Sequence, residues 1–72
     1  MTKSVRYGVF SLGDLWALYA EDAMIRGFTE WHAAVSDARS LARDAMADGK
    51  AVELLVQDSR GLVTRVDVAA GP

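Results

Sequence analysis

The chain contains 72 residues, of which 51% are hydrophobic and 25% charged, and this composition is typical of one globular domain rather than a disordered segment. A domain of this length buries only about 60% of the surface of its unfolded chain, so its core is small and a partner surface would add stability. The absence of cysteine excludes disulfides and thiolate metal sites, and the net charge of -2 disfavours a nucleic-acid binder that relies on a basic surface.

A β-hairpin is the first predicted element. Val5 to Leu12 and Leu15 to Ala20 are rich in β-branched and aromatic residues, which favour strands. Gly13 and Asp14 between them form a two-residue connection suited to a type II′ turn, in which glycine takes the first central position. We therefore predict two antiparallel strands joined by a tight turn.

The next segment is predicted to form a loop followed by a helix. Glu21 to Gly27 has no clear period, so we expect a loop there. Thr29 is the expected N-cap, because its hydroxyl can accept a hydrogen bond from the first turn, and Gly49 is the expected stop after a helix over about residues 30–48. One face of this helix carries an apolar stripe, made of Trp31, Ala34, Val35, Ala38, Leu41, Ala42, Ala45 and Met46.

A second hairpin is predicted from Val52 to Gln57 and Leu62 to Val68. The connection runs from Asp58 to Gly61, with aspartate first and glycine fourth, as in a type I turn closed by a bulge. Glu53 and Arg65 are expected to lie close across this hairpin, where they can form an ion pair. Residues 69–72 are expected to be a frayed tail.

These elements predict a single α+β domain over residues 1–72. Its sheet has four strands, is mainly antiparallel and carries one helix on one face, in the order strand, strand, helix, strand, strand. The order of the strands within the sheet stays open.

Both faces of the first hairpin are apolar, although one helix can cover only one side of the sheet. We therefore expect a second copy of the chain to cover the remaining face, making a homodimer. The alternative is that the loop from Glu21 to Gly27 folds over it. The interface candidates are Tyr7, Val9, Trp16 and Leu18 on one face, or Phe10, Leu15 and Tyr19 on the other.

Two other interaction functions remain open. Asp37, Asp44 and Asp48 lie along one edge of the helix, so the chain could be a small acidic adaptor or inhibitor, such as mobile genetic elements encode, that binds a basic protein surface. Arg39 and Arg43, with the aromatic residues of the sheet, could instead bind nucleic acid, which the net charge disfavours.

The sequence predicts no catalytic, cofactor or metal site. His32 is the one histidine, and Ser36 one turn away is its only candidate partner, an arrangement that is far more often a surface pair than a catalytic one. The glycine spacings match neither a dinucleotide fingerprint nor a phosphate loop. No apolar run reaches the about 18 to 20 residues of a membrane span and no signal-peptide pattern opens the chain, so a cytoplasmic location is expected.

A set of residues resembles a group of short bacterial domains, the domain-of-unknown-function family 2188. These residues are Trp16-Ala17-Leu18, Phe28, the alanine-spaced segment Ala34 to Ala45 with Leu41-Ala42-Arg43, Glu53-Leu54-Leu55-Val56, and Asp58 to Gly61. The resemblance spans about Tyr7 to Val68. It implies the same strand, strand, helix, strand, strand order and assigns no functional residue.

Overall fold

A computed structural model describes residues 4–68 and shows an α+β domain with one helix and five strands. The predicted class is therefore confirmed, whereas the predicted four strands and their order are matched only roughly. The predicted tail over residues 69–72 lies outside the described residues. In chain order the elements are β1 (Ser4–Leu12), β2 (Leu15–Ala20), β3 (Ala23–Phe28), α1 (Trp31–Ala47), β4 (Ala51–Gln57) and β5 (Val63–Val66).

The additional strand is β3, which occupies the segment predicted to be a loop. It pairs with β2 in antiparallel orientation after the two-residue turn Glu21-Asp22, and the pairing shifts by one residue beside Leu18 and Tyr19. This shift leaves Ile25 as an extra residue in β3, so the apolar residues do not alternate regularly along the strand. The absence of a period in the sequence therefore reflects a β-bulge in an edge strand.

The five strands form one sheet in the order β3-β2-β1-β4-β5. Neighbouring strands are antiparallel except β1 and β4, which are parallel. Because β3 also runs in the direction of β1 and β4, the connection from β3 to β4 crosses two strands, and α1 makes this crossover. The helix therefore lies across one face of the sheet.

The two ends of α1 are built differently. Glu30, and not the predicted Thr29, is the N-cap, and its side chain makes no capping hydrogen bond. At the other end Gly49 has φ +83°, and the N–H groups of Gly49 and Lys50 donate to the carbonyl oxygens of Met46 and Ala45 at 2.9 and 3.1 Å. This Schellman arrangement confirms Gly49 as the helix stop.

The core lies between α1 and the sheet. Fully buried side chains come from β1, β2 and β4, and they pack against alanines of the helix, which allow a close approach. Trp31 closes one end of the core, where its indole Nε1 donates a hydrogen bond to the Gln57 carbonyl oxygen at 2.8 Å. The most deeply buried side chains are Val9, Leu18, Leu54, Ala34, Ala38 and Ala42.

Both predicted turns are present. Gly13 has φ +61° while Asp14 does not have a positive φ, as a type II′ turn requires, and Leu12 pairs with Leu15. In the second hairpin the Gly61 N–H donates to the Asp58 carbonyl oxygen at 3.0 Å, and Asp58 Oδ1 accepts from the Leu62 N–H at 3.0 Å. The register of β1 with β2 and of β4 with β5 follows from these turns.

Candidate interaction surface

The face of the sheet opposite α1 is covered by no other element among residues 4–68, and we call it the open face. Its side chains come from alternate positions of all five strands, because neighbouring residues in a strand point to opposite faces. Several are apolar and well exposed, with exposed fractions of 49% for Leu12, 40% for Leu15, 44% for Met24 and 51% for Val63. Half-buried Phe10, Tyr19 and Leu55 lie among them.

The fold separates the two sets of predicted interface residues. Val9 and Leu18 are fully buried beneath α1, and Tyr7 and Trp16 are partly buried against the same core. These four residues hold the helix on the sheet, so the expectation that they form an external interface is wrong. Phe10, Leu15 and Tyr19 are the candidates that lie on the open face.

The alternative of a covering loop is also wrong. The segment Glu21 to Gly27 does not fold over the first hairpin, because most of it forms β3 and extends the sheet sideways. Met24 pairs with Tyr19 and therefore adds to the open face. The apolar surface is larger than the sequence predicted.

Phe10 and Tyr19 form the centre of the open face. Their rings meet edge to face with centroids 5.8 Å apart, a favourable geometry for two aromatic rings. Gly8 lies beneath the Phe10 ring, which occupies the space that a Cβ at this position would need. Beside these rings is a hollow of about 350 Å³, bounded by Gly8, Phe10, Tyr19 and Leu55 and by the charged residues Arg6, Glu21 and Asp22.

An ion-pair cluster lies on the same face, where β1 and β4 begin. Glu53 Oε1 accepts a hydrogen bond from Arg6 Nε at 2.8 Å, and Glu53 Oε2 accepts one from Arg65. The predicted pair of Glu53 with Arg65 is thus confirmed. Arg6 was missed, because its position beside Glu53 depends on the parallel pairing of β1 with β4, which leaves no local signal in the sequence.

The cluster should make stability depend on pH. The hydrogen bond from Arg65, together with the positive charges of Arg6 and Arg65, holds the pKa of Glu53 below its ordinary value near 4.5. A lowered pKa in the folded state means that this contribution to stability is present above the ordinary pKa and is lost as the pH falls through the lowered one. We expect Glu53→Gln to lower the urea midpoint at pH 6. The difference in urea midpoint from the unmodified chain should disappear as the pH falls from the ordinary pKa of Glu53 through its lowered pKa.

The matched control is Asp14→Asn, because Asp14 is exposed in the turn between β1 and β2 and forms no ion pair with any described residue. It should leave the pH profile of the urea midpoint unchanged. The difference in urea midpoint between Glu53→Gln and the unmodified chain could instead stay constant from pH 6 down to strongly acidic solution. That result would show that the charge of Glu53 does not stabilise the fold.

The acidic edge of the helix is divided by the fold. Asp37 forms an ion pair with Arg26 of β3, with 2.9 Å between Oδ2 and Nη1, and so fastens the helix to the edge strand. Asp44 and Asp48 remain exposed. Of the three predicted acidic residues, one is therefore engaged within the chain.

His32 is exposed on the outer side of α1, and its ring meets the indole of Trp31 edge to face at 5.1 Å. Residues 4–68 contain no group of three histidine or acidic side chains close enough to hold a metal ion. Within the same range no helix is long and apolar enough to cross a membrane.

No protein-family model, curated protein or solved structure matches this chain. The resemblance to the domain-of-unknown-function family 2188 therefore stays a prediction. The geometry of the open face carries the functional argument.

Proposed function

We propose that this chain is a non-enzymatic protein-interaction domain that forms a homodimer through its open face. The observation that carries the proposal is an apolar surface, centred on Phe10 and Tyr19, that spans the sheet opposite the helix. Contiguous apolar patches of this kind are uncommon on monomeric proteins and are typical of interaction sites. We also propose a cytoplasmic location, which is the one expected from the sequence.

The size of the chain supports self-association. A small domain has a thin margin of stability, and covering the open face with a second copy would add apolar burial on the side of the sheet that the helix leaves exposed. The alternative of an acidic adaptor has weaker support, because Asp37 is already paired with Arg26. The nucleic-acid alternative, which would use Arg39 and Arg43 with the aromatic residues of the sheet, is disfavoured by the net charge of -2.

The test is sedimentation velocity over a concentration range from about 1 to 200 µM, the range in which a small interface is expected to dissociate. We expect the sedimentation coefficient to rise from that of a monomer to that of a dimer, and the melting temperature to rise with protein concentration. Tyr19→Glu should keep the chain monomeric throughout, because a carboxylate enclosed in an apolar contact is costly.

Ser40→Glu is the matched control, since Ser40 is exposed on the outer side of α1. It introduces the same charge and should leave dimerisation unchanged. A folded monomer at every concentration would overturn the proposal. Gel shifts with single-stranded DNA and RNA provide the other arm of the test, and a folded monomer that binds either one would favour the nucleic-acid alternative.

A further inference from the structure

The outer side of α1, which faces away from the open face, carries a second hollow. It has a volume of about 500 Å³. Arg39 and Arg43 line it one helical turn apart, and neither forms an ion pair with any residue from 4 to 68. By contrast, Arg6, Arg26 and Arg65 each pair with a carboxylate. The positive charges of the hollow are therefore not neutralised within the described part of the chain.

Arg39 lies in an unfavourable environment. Its side chain is half-buried, and its Nε atom is enclosed but donates no hydrogen bond to any described residue. A buried donor without an acceptor is rare in folded proteins, because it has lost its contact with water and gained no partner. No hydrogen bond or ion pair with the described residues fixes this guanidinium where it lies. Turning it toward an acceptor in the hollow thus breaks no polar contact and relieves the unpaired donor.

The side chains of the hollow fit an oxyanion. The guanidinium of arginine is planar and offers two parallel N–H donors, which match the oxygens of a phosphate group. Arg39 and Arg43 are four residues apart on one helix, so their Cβ atoms lie about 6 Å apart and both side chains can reach one anion. Ser36, one turn before Arg39, and His32 also line the hollow, and each can donate a further hydrogen bond.

Two carboxylates lie nearby and limit the positive charge. Asp44 lines the hollow but is exposed, so water screens its repulsion of an anion. Asp58 lies near His32 beyond the end of the hollow, where its Oδ1 accepts hydrogen bonds from the N–H groups of Arg60 and Leu62. With two arginines against one lining carboxylate, the hollow keeps a positive charge in a chain whose net charge is -2.

We propose that this hollow binds the phosphate group of a small phosphate monoester, held between Arg39 and Arg43. Two cations match the charge of one phosphate dianion, and their donors match its oxygens. A nucleic-acid backbone requires several phosphates to be neutralised along a longer basic track, which two arginines in an acidic chain do not provide. Because the hollow lies on the side of the domain opposite the open face, this inference goes beyond the proposed dimer and does not depend on it.

The test is a titration of the ¹⁵N-labelled chain with glycerol phosphate, a small monoester without an apolar group, followed by amide NMR. We expect saturable shifts confined to the amide signals of α1 near Arg39 and Arg43. Sodium chloride at the same ionic strength should produce no saturable shift. Shifts that do not saturate, or that chloride reproduces, would overturn the site. A deoxythymidine oligonucleotide that shifts the same signals with a dissociation constant more than about tenfold lower would assign the hollow to nucleic acid instead.

Substitutions locate the site. We expect Arg39→Gln and Arg43→Gln each to raise the dissociation constant for glycerol phosphate at least about fivefold, and Asp44→Asn to lower it. Arg43 is exposed, so its replacement leaves the core untouched. Arg60→Gln is the matched control, because it removes the same charge from an exposed turn and should change the constant by less than about twofold.

Equal weakening by the three glutamine substitutions would show that the anion responds only to the overall charge, and would overturn the site. Tyr19→Glu, which should abolish the dimer, should bind glycerol phosphate as the unmodified chain does. Failure of the phosphate site and failure of the dimer are therefore measured separately.

Discussion

Leu54→Ala is expected to lower the free energy of unfolding by about 2 to 5 kcal/mol. Leu54 is fully buried in β4, where it pairs with Tyr7 of β1 and with Val66 of β5 beneath the helix. Truncation removes apolar burial and leaves a cavity that a rigid sheet cannot close. Because domains of this size have little stability to lose, we expect a large unfolded fraction, measured by urea denaturation followed by circular dichroism.

Leu62→Ala is the matched control, since Leu62 keeps 61% of its surface exposed. The same truncation there should change the free energy of unfolding by less than about 0.5 kcal/mol. Both variants should be measured at low protein concentration, so that dimerisation does not contribute. Equal destabilisation by the two substitutions would contradict the core described above.

Ala38→Leu is expected to destabilise the domain by about 1 to 3 kcal/mol. Ala38 is fully buried between α1 and the sheet, and the fully buried positions of the helix are all alanines. A larger side chain there must push the helix away from the sheet or adopt a strained rotamer. The measurement is again the urea midpoint, together with near-ultraviolet circular dichroism, which reports the packing of Trp16 and Trp31.

Ala33→Leu provides the comparison, because Ala33 is exposed in the same helix. Alanine and leucine have similar helix propensities, so this substitution should be nearly neutral. If Ala38→Leu were also neutral, the helix would not lie as close to the sheet as the buried alanines require.

The open face could be predicted only in part. The sequence shows that both faces of the first hairpin are apolar, but it does not show which of them the helix covers. That choice depends on the register of β1 with β4, in which Val9 pairs with Val56 and Gly8 with Leu55. The contribution of Met24 has no signal in the sequence, because the bulge in its strand removes the regular alternation of apolar residues.

Local signals account for what the sequence by itself determined. Turns and caps favour particular residue types through their backbone geometry, as at Gly13-Asp14, Asp58 to Gly61 and Gly49. The apolar stripe of the helix repeats with the period of its turns. The α+β class, the helix, the turns of both hairpins and the pair of Glu53 with Arg65 follow from such signals. They act between residues that are close in the sequence or joined by one turn.

Only the tertiary structure decided the remainder. The strand β3 is exposed at an edge and bulged at Ile25, so no regular alternation of apolar residues identifies it. The parallel pairing of β1 with β4 joins segments that β2, β3 and the helix separate in the chain, and its register arises from packing across the whole core. That pairing brings Arg6 to Glu53 and leaves Phe10 and Tyr19 on the open face. Neither segment alone carries a signal for it, because pairing between distant strands depends on the burial of the complete fold.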